Sequence, residues 1–183
     1  AFTLTMSLYK QKYGQRILTN KQLASMGYGL SGAIGAAIAK KDKRTILIEG
    51  DGGFAQNIQE IGTAKINELN LKIFIFDNQG HASIRMTQVS YFEGKYLGCD
   101  AASGLGLPNW LKLFDAWDVP VIEINKGFVN NKGFLEMFNA GGVSVFVVKI
   151  DPKQTYYPKI SSRITSSGSM ESNPIDIMSP EIS

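Results

Sequence analysis

Two apolar runs in this chain end in the same way, and that repetition limits what the chain can fold into. Residues 45–48, Thr-Ile-Leu-Ile, pass through Glu49 into Gly50-Asp51-Gly52-Gly53, and residues 71–76, Leu-Lys-Ile-Phe-Ile-Phe, pass into Asp77-Asn78-Gln79-Gly80. A nearly continuous apolar stretch closed by turn residues is what a strand covered on both faces requires. Between the two runs, Phe54, Ile58, Ile61, Ile66 and Leu69 fall near helical spacing, which predicts a helix over 54–69. Buried strand, glycine turn, helix and second buried strand make the β–α–β unit of a parallel sheet.

The rest of the chain extends the alternation. Residues 1–10 read as a helix, followed by a short segment, 16–19, and a turn-like stretch, and 27–41, rich in small residues, read as a helix lying close on a sheet. A long connection, 77–107, is followed by a helix over 108–117 with Pro108 in its first turn, a strand over 119–124, a helix over 131–140 and a strand over 142–150. The expected fold is α/β: a doubly wound, mostly parallel sheet with helices on both faces, formed by residues 1–150. From 151 to 183 the sequence turns to Ser, Pro, Thr and Tyr without periodicity, which predicts a C-terminal tail over the surface or partly disordered.

Composition narrows the function. The 183 residues are 44% hydrophobic, enough for a sizeable core, and a formal charge of +3 with scattered lysines offers no stripe for nucleic acid. No apolar run approaches the roughly 20 residues of a membrane span, and no basic-then-apolar leader opens the chain, so no membrane association is expected. The chain starts on Ala1 rather than Met, as an excised segment of a longer protein would. Its single cysteine, Cys99, excludes an internal disulfide, a thiolate zinc site and an iron–sulfur cluster held by this chain alone; it reads as a half-buried thiol in a protein of the reducing cytoplasm.

Gly27-Tyr-Gly-Leu-Ser-Gly32 has the glycine spacing of a dinucleotide fingerprint. That fingerprint needs a strand running into the first glycine and an acidic residue about 20 positions on. Glu49 or Asp51 loosely meets the second condition, but residues 19–26 make a poor strand, so the glycines read as close packing of a helix.

Ligands of open α/β sheets gather beyond the carboxyl ends of the strands. If the two apolar strands are neighbours, Asp51 and Asn78 point into one crevice. Asp51 then offers a carboxylate oxygen, Asn78 an amide oxygen and Gly80 a main-chain carbonyl, a set of hard donors that selects Mg²⁺ or Ca²⁺ over zinc. Magnesium commonly completes its shell with waters and phosphate oxygens, and the Gly52 and Gly53 amides with the helix start at Phe54 suit a phosphate. A single Gly-Asp-Gly-Gly would read as a tight turn with a capping aspartate. The pair of strand ends argues instead for a divalent cation bridged to a diphosphate.

Gly50-Asp51-Gly52 closed by Asp77-Asn78 resembles the signature of thiamine diphosphate-dependent enzymes. The text of residues 25–37 (SMGYGLSGAIGAA), 56–64 (QNIQEIGTA) and 80–85 (GHASIR) resembles their acetolactate-synthase-like branch. The likeness covers about residues 16–150 and is to the C-terminal, diphosphate-binding domain. It implies Mg²⁺ on Asp51, Asn78 and the Gly80 carbonyl, with the diphosphate of thiamine diphosphate on the Gly52 and Gly53 amides beside Gly50. It further implies that Met26 props the bent cofactor and that the Ala24 carbonyl, beside Ser25, accepts from the pyrimidine amino group. His81, Ala82, Ser83 and Ile84 would lie close by.

The implied reaction is decarboxylation or carboligation of a 2-oxo acid or related carbonyl, with the thiazolium ring as electron sink. The activating glutamate would come from a pyrimidine-binding domain of the same or a partner chain, in a homo-oligomer, dimer or tetramer. This chain would then be catalytically incomplete and would start after the domain's usual first strand. Glu60, on the predicted 54–69 helix, reads as a structural carboxylate and not as that glutamate.

Asp77 replaces the first asparagine of the pair, a change away from the coordinating position that should leave binding intact. Two other departures weigh against acetolactate as the product: His81 stands where tyrosine is common, and Thr87 lies near the place of a tryptophan typical of acetolactate synthases. Substrates of sugar or cell-surface pathways fit as well. His81 is a candidate for proton transfer or an ordinary hydrogen-bonding loop residue. Arg85 is a candidate for a substrate carboxylate or a surface ion pair. Trp110 and Trp117 read as core residues on one helix face. Two other functions stay open: the thiamine-binding subunit of a 2-oxo-acid oxidoreductase, disfavoured by the lack of cluster cysteines, and a catalytically silent binding or oligomerisation module.

Overall fold

The computed structural model describes residues 1–20, 22–155 and 157–180. Four parallel strands form the sheet: β1 (Thr45–Gly50), β2 (Leu71–Asp77), β3 (Val121–Ile124) and β4 (Ser144–Lys149), in the order β1-β2-β4-β3. β1 and β2 are direct neighbours, Gly50 standing opposite Phe76, so the two turns leave the sheet side by side.

Alternation along the strands divides the core in two. Leu47, Leu71, Ile73, Ile75, Val145 and Val147 face one layer, made by α2 (Tyr28–Ala39), α4 (Ile61–Ile66) and α6 (Trp110–Ala116). Phe74, Ile122, Ile124, Phe146 and Val148 face the other, roofed by α7 (Lys132–Asn139) through Phe134, Met137 and Phe138. Phe146 is fully buried there, with ring centroids 4.9 Å from both Phe74 and Phe134. On the α7 side the roof stops short of β1, where Ile46 and Ile48 stay 50% and 37% exposed.

The predicted fold class holds, with local corrections. The helix expected over 54–69 is broken into α3 (Asp51–Phe54), a 3-10 segment (Ala55–Glu60) and α4, with Asn57 at φ −142°. The connection expected over 77–107 contains α5 (Ala82–Tyr91). Residues 16–19 are exposed throughout and, among the described residues, pair with no strand. Pro108 stands outside the helix, whose N-cap is Asn109, the Asn109 carbonyl oxygen of the side chain accepting from Lys112 N at 3.1 Å. Trp110 is buried, but Trp117 caps the helix at 38% exposure and lies over Gly62 instead of joining the core. Cys99 is fully buried, not half-buried.

The opening helix is α1 (Phe2–Leu8). Beyond β4 the chain makes two small antiparallel pairs, β5 (Lys159–Ile160) with β8 (Met178–Ser179) and β6 (Ser162–Ile164) with β7 (Met170–Ser172). Among the described residues, no helix is long and apolar enough to cross a membrane.

Candidate cofactor-binding site

β1 delivers Asp51 to the carboxyl edge of the sheet at 1% exposure. One carboxylate oxygen accepts from its neighbour Gly52 N at 2.8 Å and the other from Gly80 N at 2.9 Å, so the second turn is hydrogen-bonded to the first. The Asn78 side chain lies in the same place. One terminal atom of its amide sits 3.2 Å from Asp51 Oδ1 and 2.7 Å from the Gly80 carbonyl oxygen. With nitrogen there, the amide donates to both; turned by half a rotation, it adds a third oxygen to the two already converging. Carboxylate, amide and carbonyl oxygens around one point are the donor set of a hard divalent cation. The residues therefore fit such an ion.

Electrostatics agree with that fit. Burial pushes the Asp51 carboxyl up to about 6, against the pull of the Gly80 and Gly52 amides, and the neighbouring Asp77 charge adds to the rise. A cation at this point would reverse the effect. Asp77 is 6% exposed and is neutralised across the sheet edge by Lys149 Nζ at 2.5 Å. It keeps its side chain outside the oxygen cluster: Oδ1 accepts from Gln79 N at 3.2 Å, and its carbonyl from Ile150 N at 3.0 Å.

The glycines of the two turns are needed by the chain itself. A Cβ at Gly80, where φ is +140°, would lie 2.1 Å from the Cys99 carbonyl oxygen. A Cβ at Gly52 would meet His81 Nδ1 at 2.2 Å, which places the imidazole directly over the first turn. The Gly52 N–H is given to Asp51, leaving the amides that follow at the start of α3 for an anion. The His81 main chain closes the second turn by donating from N to Cys99 O at 2.9 Å.

The segment with Ala24, Ser25 and Met26 leads directly into α2. Ala24 has φ +49°, Gly27 caps the helix at φ +87°, and Met26 stays 50% exposed. Asn57 fastens this segment to the 3-10 segment that follows the first turn: its Nδ2 donates to the Gly27 carbonyl at 3.4 Å and to Ser31 Oγ. Ile84 on α5 is 38% exposed. Glu60 is a surface residue that accepts from Thr63 Oγ1 at 2.9 Å.

Sequence reasoning missed Glu49. Its carboxylate is wedged between the start of α2 and the first turn, since a Cβ on Gly29 would fall 2.1 Å from Oε2 and one on Gly53 2.9 Å from Oε1. Burial drives its pKa up to about 7, although the Gly29, Gly27 and Leu30 amides at the start of α2 pull it down. Oε2 still lacks a hydrogen-bond partner of good geometry. Two-residue spacing from the inward-facing Leu47 is the signal that would have found it. Asn57, Lys149 and the true contacts of Arg85 were missed for want of any local pattern.

The family described as "Thiamine pyrophosphate enzyme, C-terminal TPP binding domain" matches residues 2–148. Acetolactate synthase isozyme 1 large subunit of Escherichia coli K12 is 30% identical over 156 residues, 85% of this chain and 27% of that protein. Acetolactate synthase large subunit of Cyanidium caldarium is 36% identical over 107 residues, 58% of this chain and 18% of that protein. This chain thus spans about a quarter of the length of the curated relatives it matches. Among solved structures, benzoylformate decarboxylase of Polynucleobacter necessarius superposes with a TM-score of 0.62 at 19% identity, over 71% of this chain and 24% of that one. The thiamine diphosphate-dependent 4-hydroxybenzoylformate decarboxylase of Rhodococcus jostii RHA1 gives 0.61 at 21% identity, over 69% and 23%. Those two likenesses speak to the fold; the match over residues 2–148 places this chain in the family of C-terminal thiamine pyrophosphate-binding domains of thiamine pyrophosphate enzymes.

Proposed function

We propose that this chain is the part of a thiamine diphosphate-dependent enzyme that seats the cofactor's diphosphate through Mg²⁺, in an enzyme acting on a 2-oxo acid or a related carbonyl by decarboxylation or carboligation. One observation carries the reading: Asp51, the Asn78 amide and the Gly80 carbonyl meet at one point beside the start of α3. Asp51, Asn78 and Gly80 would hold the cation, and the amides after Gly52 would meet the cofactor's phosphate. When bound, thiamine diphosphate supplies the electron sink for carbonyl chemistry.

The protein's own residues bind and orient. Ala24, Ser25 and Met26 are positioned by the Asn57 clasp to meet the cofactor's other end, and His81 borders the diphosphate turn through its contact with Gly52. Gly50, Gly53, Ala82, Ser83 and Ile84 complete the surroundings. The activating glutamate and the remaining wall of the site come from a pyrimidine-binding domain elsewhere in the same or a partner chain, in a homo-oligomer of the cytoplasm. The shared length of about a quarter with acetolactate synthase large subunits supports the need for such further domains. Acetolactate is not assigned as product.

The test is thermal unfolding of the full-length protein with and without thiamine diphosphate plus Mg²⁺. The pair should raise the Tm of the wild type and leave Asp51→Ala unmoved; equal shifts in both would refute the cation assignment. A panel of 2-oxo acids then identifies the substrate.

A further inference from the structure

Arg85 is the buried residue of α5, 8% exposed; among the described residues it makes no ion pair, and its charge reaches the Asp100 carboxylate only through space. Among the described residues, its side-chain hydrogen bonds all run to main-chain carbonyls. Nη1 donates to Gln79 O at 3.2 Å, and Nη2 to Asn78 O at 2.9 Å and to Pro152 O at 3.1 Å. Resting on the cation site proposed above, we propose that Arg85 is the positioning residue of that site: its guanidinium fixes the two peptide planes of the 78–80 loop and fastens them to the segment that follows β4.

The geometry of the peptide bond supplies the reason. In a trans peptide, C=O and N–H point to opposite sides of one rigid plane. Holding the Gln79 carbonyl on Arg85 therefore directs the Gly80 N–H the other way, where Asp51 Oδ2 accepts it at 2.9 Å. Holding the Asn78 carbonyl likewise directs the Gln79 N–H to Asp77 Oδ1 at 3.2 Å. The loop is thus held between one guanidinium on its carbonyl side and two carboxylates on its amide side.

Without that hold, the loop has reason to relax. Gln79 sits at φ +60°, a left-handed conformation that residues with a side chain disfavour, and the following Gly80 at φ +140° is free to swing. A lysine cannot substitute, since a single ammonium lacks the planar fork that spans several carbonyls. The bond to Pro152 adds a second consequence. With Ile150 N on the Asp77 carbonyl at 3.0 Å, the start of the loop is tied twice to residues 150–152, so the segment after β4 and the cation loop move together.

The experiment uses Arg85→Lys and Arg85→Met in the full-length protein. Amide hydrogen exchange is followed without added cations, and binding of Mn²⁺ alone is measured by electron paramagnetic resonance. The amides of Gln79, Gly80 and Ile150 should exchange at least about tenfold faster in both variants while β4 amides keep their protection. The Mn²⁺ Kd should rise roughly 10- to 100-fold, as for loss of a partner that orients metal ligands. Should Arg85→Met fail to fold, Arg85→Lys alone decides. Exchange at Gln79 and Gly80 within twofold of wild type in Arg85→Lys overturns the proposal; unchanged exchange at Ile150 overturns the coupling to the segment after β4. If exchange accelerates but the wild type binds no Mn²⁺, the cation reading falls and the positioning role stands.

Discussion

Gly80→Ala tests the second turn most directly. At φ +140° the position is open to glycine and nearly closed to anything else, and the added Cβ would stand 2.1 Å from the Cys99 carbonyl oxygen. That neighbour is main chain, so the clash is relieved only by moving the turn or residue 99. Either movement breaks the His81 N to Cys99 O bond of 2.9 Å and pulls Gly80 N from Asp51, where it now lies at 2.9 Å. Backbone strain of about 1–3 kcal/mol, a neutral hydrogen bond of about 1 kcal/mol and one to a charged group of about 2 kcal/mol together give a loss of about 4–6 kcal/mol. Gly94→Ala is the control. It also has a positive φ, +71°, but no heavy atom within 4 Å of the added Cβ, so only the left-handed penalty of about 1–2 kcal/mol applies. Urea unfolding of both variants without cations measures the difference. A gap below about 1 kcal/mol would refute the claim that close approach to residue 99 shapes the turn.

Two further outcomes follow from burial and charge. Asp51, raised from 3.8 to about 6, and Glu49, raised from 4.5 to about 7, keep protons in the folded chain that the unfolded chain has released. That stability is fully present below about pH 4 and is lost as pH rises through 6 and 7. The urea midpoint of the cation-free protein should fall over that window and flatten in Glu49→Gln; a rising midpoint would contradict the sign. Phe146→Ala, which empties the centre of the aromatic layer under α7, should cost about 3–5 kcal/mol in the same assay.

The sheet and its crevice were legible in sequence because buried parallel strands are continuous in apolar residues and because their ends carry the turn chemistry. Asp51 and Asn78 could be brought together from that alone, once β1 and β2 were taken as neighbours. The helix after Gly53 was misread because its break at Asn57 is made by bonds to Gly27 O and Ser31 Oγ, which residue spacing does not register. Arg85 was misread for the same reason at longer range: one of its carbonyls belongs to Pro152, 67 positions away. Asp77 looked like a neutral substitution, whereas the structure pairs its charge with Lys149 on β4. Glu49 was hidden by a strand pattern in which an acid near the end looked like a boundary. Local pattern, in short, reports burial and turns; it does not report which distant main-chain groups a polar side chain has been folded against.

In the proposed cation site, Asn78 has a role that a carboxylate could not fill. In the cation-free protein its inward atom must be nitrogen, donating to Asp51 Oδ1 at 3.2 Å and to the Gly80 carbonyl at 2.7 Å; beside a divalent cation the same atom must be oxygen. The two ends of an amide are nearly equal in size, so half a rotation exchanges donor for acceptor without repacking. An aspartate there would set a second carboxylate against Asp51, whose pKa burial has already raised to about 6. Cation entry then releases whatever proton Asp51 still holds, because a carboxylate must be ionised to ligate. Affinity for Mg²⁺ should accordingly be constant above about pH 7 and weaken toward tenfold per unit below pH 6, read as proton release by calorimetry in two buffers of different ionisation enthalpy. Equal heats in both buffers at pH 5.5 would mean that Asp51 is already ionised there, and the desolvation argument for this carboxylate would fail.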